Sequence, residues 1–145
     1  MTEPSLVVTV LGFDFGTKRI GVAVGQSITG TATPLMNLNA KEGIPDWDQM
    51  TRLVNEWQPH VFVVGIPYNM DGSESEMSLR AKKFARRLQA RFNRPAHGVD
   101  ERLSSWEARG RLAALAKEDK QRLPLDSYAA VLIIEHWLAE QSAQK

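Results

Sequence analysis

Three acidic positions could carry chemistry, and at the first of them a carboxylate is costly unless something neutralises it. On a helix, Asp126, Ala130, Ile133 and Trp137 fall on one face, at spacings of four, three and four, with Ala129 and Ile134 flanking them. An unpaired carboxylate in such an apolar stripe costs several kcal/mol. Asp126 therefore either satisfies free N–H groups in the first turn of its helix or faces a site where a cation neutralises it. Asp14 comes at the end of an apolar run and is bracketed by Gly12 and Gly16. Small neighbours let a ligand or another backbone come close. A turn Asp bonding its own backbone is the alternative. Asp100 and Glu101 follow a short strand, Pro95 to Val99. Alternation sends them to opposite faces, one toward a site and the other toward solvent or Arg102. The alternative is a pair of solvated loop charges.

Carboxylates from separate strand and helix ends, with no Cys and no His pair at ligand spacing, suit a hard cation. Oxygen ligands suit Mg²⁺ or Mn²⁺, and Mg²⁺ keeps waters for substrate phosphates. Two such ions clamp both oxygens of an in-line displacement at phosphorus. All of this requires the acids to converge in space.

A second constellation is basic. Arg80, Lys82, Lys83, Arg86, Arg87, Arg91 and Arg94 fall in a stretch with no acidic residue. Arg80, Lys83, Arg87, Arg91 and Arg94 form a stripe beside the apolar face of a helix, able to follow a phosphate backbone. A solvated helix face is the alternative, although like charges without a partner four residues away destabilise an isolated helix. Lys18 and Arg19 add positive charge beside Asp14. His60, His97 and His136 are scattered and receive no role. Trp47, Trp57, Trp106 and Trp137 read as core or cap residues. Gly12 and Gly16 make no dinucleotide fingerprint, because the required helix does not follow.

The elements that must position these residues follow from patterning. Leu6 to Phe15, Arg19 to Gly25 and Thr29 to Leu35 read as three strands of an antiparallel meander. Asn39 to Asp48 reads as a loop, with Asp46 or Asp48 capping a helix through Met50, Leu53, Val54 and Trp57. Val61 to Ile66 has the continuous apolar character of a buried central strand. Pro67 to Ser73 is a polar loop. Leu79 to Phe92 is a helix whose stripe is Ala81, Phe84, Ala85, Leu88 and Phe92. Ser104 and Glu107 have capping-box spacing for a helix from near Ser105 through Leu115. Lys117 to Arg122 is a charged connector, and Pro124 opens a last helix reaching about Glu140. A meander followed by alternating helices and strands implies an α/β fold with a mixed sheet and helices on both faces.

The 145 residues suggest one domain, residues 1–145, with a real core. At 43% hydrophobic, 24% charged and net charge +1, the composition is that of a globular protein rather than a disordered one. The absence of cysteine excludes disulfides, thiolate metal sites and a cysteine nucleophile. No apolar run approaches the ~18 residues of a membrane span. Met1 to Ser5 lacks the basic start of a signal peptide, so the expected location is the cytoplasm, with no membrane partner.

The segment Phe13-Asp14-Phe15-Gly16-Thr17-Lys18-Arg19-Ile20-Gly21-Val22-Ala23 resembles the opening motif of the YqgF/RuvX family. Val64-Gly65-Ile66-Pro67 with Met70-Asp71-Gly72 is similar to its second motif. Asp100-Glu101-Arg102-Leu103-Ser104-Ser105 is similar to its third, and Leu125-Asp126-Ser127 with Ala129-Ala130 to its last. Ser105 stands where the family commonly has Thr, and the hydroxyl is kept. The resemblance implies an RNase H-like fold, with a mixed five-stranded sheet flanked by helices. It also implies an acidic triad at Asp14, Glu101 and Asp126, which selects Glu101 over Asp100. Family members are described as Holliday-junction resolvases and as nucleases processing the 5′ end of pre-16S rRNA. The second description implies ribosome biogenesis, with the ribosome as a partner.

The leading expectation is thus a metal-dependent nuclease acting on structured RNA. Asp14, Glu101 and Asp126 hold one or two Mg²⁺ or Mn²⁺ ions, and Lys18, Arg19, Arg80, Lys83, Arg87 and Arg91 position the backbone. Resolution of four-way DNA by the same chemistry is the alternative. A non-catalytic module binding nucleic acid or protein is a third reading.

Overall fold

The structure is a computed structural model that describes residues 7–103, 106–118 and 124–143. Strands β1 (Thr9–Asp14), β2 (Arg19–Gln26) and β3 (Thr31–Lys41) form the expected antiparallel meander. A two-residue strand β4 (Ile44–Pro45) and helix α1 (Trp47–Trp57) follow. Next come β5 (Val61–Ile66), α2 (Glu76–Phe92) and β6 (Ala96–Asp100). A single 3₁₀ turn (Glu101–Leu103) precedes α3 (Trp106–Glu118) and α4 (Leu125–Ala143). The sheet order is β4-β3-β2-β1-β5-β6, with β5 parallel to both β1 and β6. The sheet is mixed, as anticipated.

The strand count differs from five because of β4. The stretch assigned to a loop from Asn39 continues β3 to Lys41, then turns through Glu42 and Gly43, both at positive φ, into Ile44 and Pro45. Leu38 is fully buried, so the pull of the core carries the strand past Leu35. Pro34, which has no N–H to give a ladder, sits where the β2–β3 register shifts.

Helix α1 is capped by Asp46, whose carboxylate accepts from the N–H groups of Asp48 and Gln49. Helix α2 begins three residues before the predicted Leu79, because Ser75 and Ser78 form a reciprocal capping box. Residues Lys117 and Glu118 belong to α3 rather than to a connector. The proposed Ser104–Glu107 cap and the rest of the connector, residues 119–122, lie outside the described residues.

Each face of the sheet carries its own core. Leu11, Phe13, Ile20 and Val64 pack with Leu53 and Val54 of α1 and with Phe84 and Leu88 of α2. Val10, Ala23 and Val63 pack with Ala130, Ile133 and Ile134 of α4 on the opposite face. Trp47 and Trp57 pack against the first core and Trp137 against the second, where it stacks on His97. The side chain of Trp106 lies outside what is described. Among the described residues no helix is long and apolar enough to cross a membrane.

Candidate active site

Asp14 ends β1 in the middle of the sheet, and its neighbours on both sides are glycines. Gly21 of β2 is its cross-strand partner. Gly65 of β5 follows Val64, the partner of Phe13, and so lies on the other flank. Both glycines make room for a chain that carries another acid. A Cβ on Gly21 would overlap the Asp126 carbonyl and lie 2.8 Å from the Asp126 Cβ. A Cβ on Gly65 would overlap the Glu101 carboxylate and lie 3.0 Å from its Cδ. The sheet has a notch on each side of Asp14, and the start of α4 and the turn after β6 fill them.

The carboxyls of Asp14 and Glu101 are hydrogen-bonded to one another. Such a bond needs a proton on one of the two groups. Burial, the Glu101 charge and that hydrogen bond, and the more distant charge of Asp126 push Asp14 up to about 8 from its ordinary 3.8. Asp126 lies in the first turn of α4, and its carboxylate is engaged from outside that helix. Its Oδ2 accepts from Asn37 Nδ2 at 3.4 Å and lies 3.9 Å from Arg19 Nε. Asp100 faces away from this group. Its carboxylate accepts from Arg102 at 2.7 Å, a bond that holds it below the usual carboxylate range. The two successive acids thus separate as alternation requires, one toward Asp14 and one toward Arg102.

Arg102 also donates to the Met70 carbonyl at 3.3 Å and lies over the Tyr68 ring. It ties the loop after β5 to the turn that carries Glu101.

Asp14, Thr17, Lys18, Arg19, Met77 and Asp126 line one cleft, with Phe15 in its wall. Phe15 also lines a neighbouring groove between α2 and the β3–β4 turn, walled by Gly43, Ile44, Arg80, Lys83 and Arg87. Arg91 lies farther along α2, its guanidinium 4.4 Å from the Trp47 ring centre. The basic run is less unpartnered than its own span suggests. Arg80 pairs at 3.0 Å with Glu76, four residues earlier, and Lys82 pairs with Glu74.

The carboxylates of Asp14, Glu101 and Asp126 offer the hard oxygen donors that suit a divalent cation such as Mg²⁺ or Mn²⁺. Among the described residues, no group of three or more His, Asp or Glu side chains is placed so that it could hold a metal ion as it stands. Asp14 and Glu101 hold each other through a proton, and Asp126 is engaged by Asn37 and Arg19. Asn37 was not visible as a site residue in the sequence, since a lone Asn in an apolar strand has no motif. The amide oxygen of Asn37 is buried and has no hydrogen-bond partner.

The RuvX family, described as "Holliday junction resolvase", matches residues 8–140. The chain belongs to that family. A relative from Azotobacter vinelandii, named "Putative pre-16S rRNA nuclease", is 54% identical over 144 residues, covering 99% of each chain. One of the same name from Pseudomonas aeruginosa strain PAO1 is 54% identical over 132 residues, covering 90% of this chain and 92% of its own. Among solved structures, T. thermophilus RuvC in complex with a Holliday junction substrate superposes with a TM-score of 0.62 at 12% identity, covering 94% of this RuvX chain and 96% of that one. The fowlpox virus resolvase with Holliday junction DNA gives 0.55 at 11% identity, covering 92% and 98%. At these identities the likeness is one of fold, and it agrees with the RNase H-like architecture expected of the chain.

Proposed function

We propose that this RuvX chain is a divalent-cation-dependent nuclease that hydrolyses phosphodiester bonds in structured RNA, with the 5′ end of pre-16S rRNA as its substrate. The observation that carries the reading is the placement of Asp14 against Glu101, with Asp14 and Asp126 both lining a cleft edged by Lys18 and Arg19. The names of the close relatives support the choice of RNA.

Asp14, Glu101 and Asp126 would hold the Mg²⁺ or Mn²⁺. The cation supplies charge neutralisation at phosphorus and a more acidic water at neutral pH. The protein's own contribution is positional. The two glycine notches bring the acids together, and Lys18 and Arg19 attract the phosphate. The groove lined by Arg80, Lys83 and Arg87 continues the positive track away from the cleft.

The test is cleavage of pre-rRNA by wild type and Asp14→Asn, with and without Mn²⁺. Wild type should cut only with the metal, and the variant should bind RNA without cutting. Full activity of the variant, or of wild type in excess EDTA, overturns the reading.

The family description favours four-way DNA as a second substrate for the same chemistry. Symmetric cutting of two strands needs two copies of the chain. A monomer in solution that leaves four-way junctions intact removes that reading. A binding module without chemistry is distinguished by indifference to Mn²⁺, because clustered acids cost stability unless a cation offsets them.

A further inference from the structure

Asn37 is the polar residue in this site whose presence the fold does not explain. It lies on β3 opposite Gly21, which lies opposite Asp14 on β1, so the three are consecutive cross-strand partners. Because Gly21 has no side chain, Asn37 reaches across it to Asp126. The amide is only half satisfied. Its nitrogen donates to Asp126 Oδ2, whereas its buried oxygen accepts nothing. A buried, unpaired carbonyl is a net cost to folding, and a β-branched apolar residue would suit this strand better. Native structures keep such groups where they serve a site.

We propose that Asn37 is a positioning residue for Asp126, and that its amide serves the site rather than the fold. The inference rests on the cation-dependent reading given above. Asn37 and Arg19 both address Oδ2 of Asp126. The two partners differ in consequence. Asn37 is neutral, so it fixes the carboxylate without cancelling its charge. Arg19 is cationic and competes with any metal for the same group. Its pair with Asp126 is long and exposed, and contributes little to stability. With Asn37 present, Asp126 is held by a donor that leaves its full negative charge for a cation. Without it, Arg19 becomes the main partner and the carboxylate is less available.

The experiment compares metal-free wild type, Asn37→Ala and Asn37→Val. Each is titrated with MnCl₂ by thermal unfolding, then assayed for KM and kcat on pre-rRNA. Asn37→Val keeps strand propensity and removes the unpaired oxygen, so it should fold even if the alanine variant does not. The expected result is a metal-free unfolding midpoint equal to or above that of wild type, with Mn²⁺ half-saturation raised about tenfold. At subsaturating Mn²⁺ kcat falls while KM for RNA stays constant. A purely structural Asn37 gives the reverse, a lower metal-free midpoint with half-saturation within about twofold of wild type, and that result overturns the inference. If wild type responds to Mn²⁺ and both variants respond equally well, the role of Asn37 alone is refuted. If wild type itself does not respond, the cation-dependent reading fails and this inference falls with it.

Discussion

The carboxyls of Asp14 and Glu101, far apart in the chain, share a hydrogen bond beneath the cleft. Below about pH 8 the folded, metal-free protein therefore keeps a proton on this pair, and removing it leaves two half-buried like charges side by side. Asp14 is held at about 8, above its ordinary 3.8, first by burial and then by Glu101 and Asp126. The folded state thus keeps a proton that the unfolded chain releases near pH 4. Stability contributed by this group is full below that pH, falls as pH rises toward 8, and changes no further above it. Asp14→Asn keeps the shape and needs no proton. In EDTA, its unfolding midpoint should exceed that of wild type by a margin that grows between pH 5 and 8, reaching about 5 °C or more. A margin independent of pH in calorimetry would contradict the shared proton.

The same proton links cation binding to pH. A cation that takes the Asp14 and Glu101 oxygens must displace it, so binding releases about one proton below pH 8. The half-saturating Mn²⁺ concentration in thermal unfolding should fall by up to about tenfold between pH 6 and pH 7. Asp14→Asn should lose most of that dependence along with most of the affinity.

The two notches predict different failures. Gly65 faces the tip of Glu101 and the Cδ1 atom of Ile133, both ends of flexible side chains. Gly65→Ala should fold at a cost of about 1–3 kcal/mol, with Glu101 pushed off Asp14. Cleavage should be lost and the pH dependence of stability weakened. Gly21 faces the backbone of Asp126, which cannot rotate aside. Gly21→Ala should lift the start of α4 and destabilise the protein more than Gly65→Ala does. Chemical denaturation of the two variants gives the ranking directly.

Much of this arrangement was legible in the sequence, and the parts that were not share a cause. Apolar patterning located β1, β2, β5, α1 and α2, because burial of those faces dominates their energetics, whereas the Ser104–Glu107 spacing and Pro124 marked the last two helices. Asp126 stood out as a charge in an apolar stripe, and alternation foresaw the separation of Asp100 from Glu101. The choice of Glu101 came from motif resemblance alone. The extension of β3 to Lys41 and the short β4 escaped notice because polar Asn37 and Asn39 mask the inward alternation through Leu38. Gly21 and Gly65 looked like ordinary strand glycines. Their roles depend on which distant segment crosses them, and no local pattern encodes that. Asn37 was invisible for the same reason. The pairing of Arg80 with Glu76 was missed because the acidic partner lies just before the basic run.

The basic helix separates into residues that face the groove and residues that pack on aromatic rings, Arg91 on Trp47 and Lys82 on Tyr68. Lys83 and Arg87 line the groove that adjoins the cleft at Phe15, and Arg80 joins them while pairing with Glu76. Arg91 instead lies over Trp47, whose ring packs on Phe84 and Phe92. A phosphate contact contributes to the salt dependence of binding, whereas a cation–π contact contributes to stability, about 0.5–1 kcal/mol at an exposed site. Arg87→Ala should therefore weaken RNA binding at low salt and reduce the slope of log K against log salt by about one, with little change in unfolding midpoint. Arg91→Ala should lower the midpoint by about 1–4 °C and leave the salt slope closer to that of wild type. Binding titrations at several salt concentrations, run beside thermal melts, separate the two. Equal slopes for wild type and Arg87→Ala would remove the groove from the path of the RNA.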